Sequence, residues 1–371
     1  MYREGRGRFT PEDVDAKLCT HIIYAFASLN SSTLKIVMAD PWADADNELY
    51  QRVTALKASN RRLRVLLSLG GWGDSGGSDD KYSRLAADET ARRDFAQDAV
   101  IFLKKHRFDG LDLDWEYPNC ASGVCPSNPP DVENFALLLK DLREAFDVFS
   151  PPLLLSTALS GNIEVIEEAY NVPEIFRHVD FASVMTYDYY GPWSSTTGHY
   201  APFQAAMDET NPEISIEYVV NALMAMGAPA SQLVLGVPFF SRSFTLANPR
   251  KNTIGAPISG AGKPGPFTDT VGLLAYYEIC SAIKAGGWTQ MLDPDAGVYA
   301  YSGDQWVCFD GPRSIMRKAR FALRRGLAGL MAWDLSMDDF LGVCGRSNPL
   351  LNAARRALYP PSAKTAAAGS G

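Results

Sequence analysis

The chain has 371 residues, 46% of them hydrophobic and 21% charged, with a formal net charge of −8. That acidic balance lacks the basic footprint a phosphate backbone requires, so no nucleic-acid partner is expected. No run of about 18 apolar residues occurs, so no membrane span is expected, and the opening MYREGRGRF carries no apolar signal-peptide segment.

In chain order, seven short apolar runs rich in leucine or β-branched residues alternate with longer segments of helical pattern. THIIYAFAS (20–28) comes first, then LRVLLSLGG (63–71). An amphipathic segment over 89–106 follows, with Phe95, Ala99, Phe102 and Leu103 near helical spacing and basic residues at its end. FDGLDLDWE (108–116), a helical pattern over 131–149, LLLSTALS (153–160), FASVMTYDY (181–189) and LVLGVPFF (233–240) come next. A helical pattern over 312–325, opening with Pro312, leads to GLAGLMAWDL (326–335). Nearly continuous hydrophobicity marks strands buried on both faces of a parallel sheet. The alternation predicts a (β/α) barrel or a doubly wound sheet. No G-x-G-x-x-G follows the first run, which disfavours a dinucleotide-binding sheet and leaves no cofactor implied.

Residues 243–310 break the alternation. They are rich in Gly, Pro and aromatics and too long for an ordinary loop, so they predict a small inserted α+β subdomain before the last strand. The barrel is then expected over 1–242 and 311–358, with a low-complexity tail over 359–371. A barrel of this kind takes eight strands. The eighth would have to precede Thr20, where the sequence is short and polar. Six cysteines and four histidines show no C-x-x-C pair or His cluster, so no metal site is expected. Cys120 and Cys125 bracket a loop short enough to close as a local disulfide, although free thiols would also fit.

Residues 107–118 read RFDGLDLDWEYP. Side chains two apart in a strand share a face, so Asp112, Asp114 and Glu116 line one side and Leu111, Leu113 and Trp115 the other. A half-exposed strand would explain this pattern in isolation, but the neighbouring runs are buried on both faces. In a barrel the acids would point inward. Two carboxylates about 7 Å apart repel by roughly 2 kcal/mol at an effective dielectric of about 20. The set should therefore titrate as a coupled system that keeps a proton, which is what a general acid needs. Glu116 stands at the C-terminal end of the run, where catalytic residues lie in such barrels.

FDGLDLDWEYP resembles the D-x-x-D-x-D-x-E signature of glycoside hydrolase family 18, the chitinases. CTHIIYAFAS, LLSLGGW, VMTYDYYGPW, LVLGVPFFSRSF, LAYYEIC, GDQWVCFD and LMAWDLSMDDF resemble further family stretches, in family order. The resemblance implies a (β/α)8 TIM barrel with an α+β insertion after the seventh strand. It implies endo-type hydrolysis of β-1,4-linked N-acetylglucosamine in chitin or chito-oligosaccharides, by a secreted monomer. The family's nucleophile belongs to the substrate. By motif position, Glu116 is the general acid and base, Asp114 orients the acetamide, and Asp112 shares a proton with Asp114.

The same resemblance implies that Tyr187 and Asp188 hydrogen-bond the sugar and that Met185 lines the wall. It makes Trp333 the floor under the reacting sugar and Trp72 a platform further along, flat sugar faces stacking well on indole. Tyr117 and Phe26 are lesser candidates. Arg242 and Glu278 match positions where a polar pair faces the sugar, although a surface ion pair would also fit. Cys280 and Cys344 match a family disulfide. Phe240 and Ser241 stand where Tyr-Gly is typical. The family's first strand would precede the equivalent of YREGRGRF, so a chain that begins at Met1 is expected to lack it, along with the usual partner of Cys19. A chitin-binding lectin of the same fold is the alternative to an enzyme. An endo-glycosidase of N-glycan cores shares the motif, but the aromatic row Trp72, Tyr117 and Trp333 favours a longer polymer.

Overall fold

The computed structural model describes residues 1–77, 79–206 and 211–360, so the tail expected over 359–371 lies, from 361 on, outside the described residues. The chain divides into two compact units. The first comprises Val14–Met185 and Asn221–Leu233; the second comprises Met1–Asp13, Thr186–Val220 and the chain from Val234.

Six strands build the first unit: β1 (His21–Leu29), β2 (Ile36–Met38), β3 (Arg64–Gly70), β4 (Gly110–Asp114), β5 (Leu154–Ser160) and β6 (Phe181–Met185). They lie in the order β6-β5-β4-β3-β1-β2. All are parallel except β2, which folds back antiparallel on β1. β2 gives no apolar run of its own in the sequence; it is only three residues long. In the ladder, Asp112 lies opposite Ser68 of β3 and opposite Ser156 of β5. Leu111 and Leu113 are fully buried. Trp115 stacks on Tyr82 (centroids 5.7 Å apart) and meets Phe135 edge-on at 5.9 Å, so this face packs on the helices Lys81–Ala87 and Asp131–Asp147. The alternation read from the sequence is thus a partition between a helix-covered face and an acid-bearing one.

The helix Glu89–His106 begins where Asp88 caps the Ala91 N–H (2.7 Å) and ends at Arg107 in a left-handed conformation. It packs on the helix Asp131–Asp147 through a buried ion pair, Arg92 Nε to Asp141 Oδ2 at 2.7 Å.

In the second unit, β7 (Leu233–Pro238) and β14 (Gly329–Trp333) pair in parallel. Between them run β8 (Phe240–Leu246), β9 (Ile258–Ala261), β10 (Leu273–Ala275), β11 (Thr289–Asp293), β12 (Gly297–Ser302) and β13 (Gln305–Phe309). These form an antiparallel sheet in the order β10-β8-β13-β12-β11, with β9 against β8. The helix Tyr276–Ala285 covers it, Ile279 meeting Ala300, Val307 and Phe309. Five parallel strands in one unit and two in the other make seven among the described residues, at the seven apolar runs.

Candidate active site

In the first unit the strand β4 stops at Asp114, so Glu116 lies in the turn beyond it rather than within the strand. Asp112 is 5% exposed and accepts the Ser68 hydroxyl at 2.7 Å and the Ser156 hydroxyl at 2.6 Å. Register alone brings these serines there. Burial raises the Asp112 carboxyl above the usual range, against the two hydroxyl bonds, which favour its ionised form. Asp114 is 6% exposed and its Oδ1 is buried without a hydrogen-bond partner among the described residues. Burial, then the charges of Glu116 and Asp112, push its carboxyl well above the ordinary value. Asp114 lies between the other two in sequence, and their charges add to its burial in favouring its protonated form. Glu116 is half-buried.

The end of β3 is shaped to meet this turn. Gly70 and Gly71 both have positive φ (116° and 75°). A Cβ at Gly70 would strike the Asp114 carbonyl, and one at Gly71 would come within 2.6 Å of the Phe26 ring. Only glycine permits both the conformation and the approach. The Gly71 N–H donates to Asp114 O at 2.8 Å, extending the contact one residue past the ladder. Trp72 follows at 54% exposure, its ring lying over Gly76. Phe26 therefore backs the glycine turn, whereas Trp72 presents an open indole. Tyr117 is joined to Glu116, and Met185 is the last residue of β6.

In the second unit, Tyr187 and Asp188 lie beyond a strand end, Asp188 with φ 61°. Thr186 is buried and donates to Gly236 O (2.7 Å), and Tyr189 N–H donates to Tyr200 O (3.0 Å). Asp188 is thereby held where its Oδ1 accepts from Arg242 Nε at 2.7 Å. The Arg242 guanidinium lies 5.3 Å from the Trp193 ring and 5.2 Å from that of Phe240. Phe240 is buried and meets Tyr187 edge-on at 6.1 Å. Trp333 ends β14, its carbonyl accepting from Phe239 N–H at 2.7 Å.

Glu278 departs from expectation. Its carboxylate accepts from the N–H groups of Phe267 (2.7 Å), Thr268 (2.9 Å) and Ala275 (2.8 Å) and from the Thr268 hydroxyl (2.9 Å). It is 5% exposed. Arg242 pairs with Asp188 instead, and Glu278 closes the loop before its own helix, as a first-turn glutamate can. Cys120 is bonded to Cys125 and Cys280 to Cys344. Ser68, Ser75, Ser156 and Trp193 were not singled out in the sequence. A lone serine in an otherwise apolar run is the signal available for Ser68, whereas Ser156 shares its strand with Thr157 and Ser160. Among the described residues, no helix is long and apolar enough to cross a membrane.

The model of a family described as Glycosyl hydrolases family 18 matches residues 1–338. Probable chitinase 10 of Drosophila melanogaster is 42% identical over 364 residues, 97% of this chain, and the chain spans 16% of that protein's length. Among solved structures, catalytic domain 2 of the Ostrinia furnacalis Group II chitinase, a mutant in complex with penta-N-acetylchitooctaose, has a TM-score of 0.93 and 43% identity. The match covers 96% of this chain and 93% of that one. Human YKL-39, described as a pseudo-chitinase with retained chitooligosaccharide binding, has a TM-score of 0.86 and 35% identity, covering 96% of each chain. The fold is the TIM barrel of these proteins with an insertion, and the described residues supply seven of its parallel strands.

Proposed function

Because the chain belongs to glycosyl hydrolases family 18, we propose that it is an endochitinase with Glu116 as general acid and base. The observation that carries the proposal is the carboxylate column of β4. Two buried acids with raised affinity for protons stand behind a half-buried glutamate at a strand end. The substrate is a chain of β-1,4-linked N-acetylglucosamine. Its acetamide oxygen attacks the anomeric carbon while Glu116 protonates the departing glycosidic oxygen. The bond to the leaving sugar breaks and an oxazolinium ion forms. Glu116, now a carboxylate, takes a proton from water as that water attacks the same carbon, and the starting configuration is restored. Asp114 shifts its proton towards Asp112, accepts the acetamide N–H through its carboxylate oxygen and carries the countercharge to the oxazolinium ion. Asp112 accepts the share of that proton which its two serine hydroxyls permit.

Tyr187, Asp188 and Arg242 bind sugar hydroxyls and acetamide in this reading, and Trp72 and Trp333 stack on sugar faces. The protein acts outside the cell, on chitin or its oligomers, as a monomer. A second reading is a chitin-binding lectin, favoured by Phe240 and Ser241 where the family has Tyr-Gly. Hydrolysis of a fluorogenic chito-oligosaccharide by wild type and by Glu116→Gln decides between them. The enzyme reading expects turnover by wild type and a loss of at least about 10³-fold in the variant, with chitin binding kept. Folded wild type that binds chitin without turnover would be the lectin.

A further inference from the structure

Glu116 lies past the end of the β-ladder, which closes at Gly70 opposite Asp114 and at Leu113 opposite Thr157. Its amide N–H points to Ser75. The Ser75 hydroxyl accepts from the Glu116 N–H at 2.9 Å. The same oxygen lies 3.1 Å from Asp114 O and 2.9 Å from Gly71 O. A hydroxyl has one proton and two lone pairs, so it can accept from Glu116 while sharing its proton between those two carbonyls. One side chain thus spans both sides of Trp115, tying the backbone of Asp114 to that of Glu116.

Ser75 is 5% exposed and is itself firmly placed. Its neighbour Asp74 accepts from Lys81 Nζ (2.6 Å), Tyr82 Oη (2.7 Å), Leu29 N (3.1 Å) and the Ser28 hydroxyl. That pins the short helix Trp72–Ser75 to β1 and to the helix Lys81–Ala87.

Building on the reading of Glu116 as proton donor, we propose that Ser75 is a positioning residue. Its hydroxyl sets where the Glu116 carboxyl stands relative to Asp114. It touches no reacting atom. Its removal leaves the sugar-binding surfaces in place and displaces the proton donor, so the loss falls on kcat.

The test compares wild type, Ser75→Ala and Ser75→Thr in the full chain. Ser75→Ala is expected to lower kcat by about 10- to 100-fold with KM within about twofold, because small misplacements of a catalytic group cost on that order. Ser75→Thr, which keeps the hydroxyl, is expected to recover most of it. Amide hydrogen exchange of the peptide containing Glu116, read on the same proteins, should quicken in Ser75→Ala and stay protected in Ser75→Thr. An alanine variant with kcat within twofold of wild type and unchanged exchange at Glu116 overturns the proposal. So does a loss that appears equally in KM and is not recovered by threonine. If wild type turns nothing over, the enzyme reading fails by itself, and the exchange measurement still decides the role of Ser75.

Discussion

At the scale of single residues, the acid run is organised by hydroxyls and burial as much as by charge. Asp112 and Asp114 both hold protons more tightly than free carboxyls, but for different reasons. Asp112 is opposed in this by Ser68 and Ser156, whereas Asp114 has no such relief at Oδ1. Removing a hydroxyl that favours the ionised form must raise the pKa further. Ser156→Ala is therefore expected to move the acid limb of the kcat–pH profile to higher pH, which a series of initial rates across pH 4 to 9 would read (both limits about those of ordinary enzyme assays). An unmoved limb would uncouple Asp112 from the reacting set. Arg242 shows the same dependence on neighbours. The sequence offered Glu278 as its companion, but Glu278 is already surrounded by three N–H groups and a hydroxyl, which leaves Arg242 to Asp188. Nothing in the spacing of these residues announces that exchange, because it depends on which loop folds over which helix end.

At the scale of elements, legibility followed apolar runs. β3, β4, β5 and β7 are buried along nearly their whole length and read as such runs, and the less buried β1, β6 and β14 stand at apolar runs too. β11 is exposed over most of its length, so Thr289–Asp293 carries no hydrophobic signature, and the insertion was visible only as a Gly-, Pro- and aromatic-rich interval. Strand ends were harder still. Glu116, Tyr187 and Asp188 fall within the runs read as strands but lie beyond the ends of β4 and β6. Ser68, Ser75 and Ser156 became meaningful only through register and the Gly70–Gly71 turn. That turn makes a matched prediction. Gly71→Ala forces a Cβ to within 2.6 Å of the Phe26 ring at a φ of 75° and is expected to destabilise by about 1–3 kcal/mol. Gly73→Ala, with open space around it in the helix Trp72–Ser75, should be neutral or slightly stabilising. Equal melting temperatures for the two variants would refute this account of the turn.

At the scale of the whole molecule, buried titratable groups give stability a pH dependence with opposing signs. His199 is 2% exposed and burial lowers its pKa from 6.5 to about 4. Below pH 6.5 the unfolded chain takes up a proton that the folded one refuses, so this contribution is present above 6.5 and is lost as pH falls towards 4. Its full span is on the order of 3 kcal/mol. Asp112 and Asp114, raised by burial, act the other way and favour the fold as pH falls towards 3.8. Replacing His199 with Gln should therefore flatten the acid side of a melting-temperature profile between pH 4 and 6.5, and a profile that keeps its slope would assign it elsewhere. Fold class and the two faces of β4 could both be reached from the chain itself. The hydroxyl scaffold that holds the acids could not, because it is assembled from the two strands that flank β4 and from the short helix Trp72–Ser75. The central claim is that the substrate's own acetamide, with Glu116 as its proton donor, cleaves the glycosidic bond. Its most direct test is proton NMR of the first products released from a chito-oligosaccharide, before mutarotation. The account predicts new reducing ends in the β configuration; α-configured ends would contradict it.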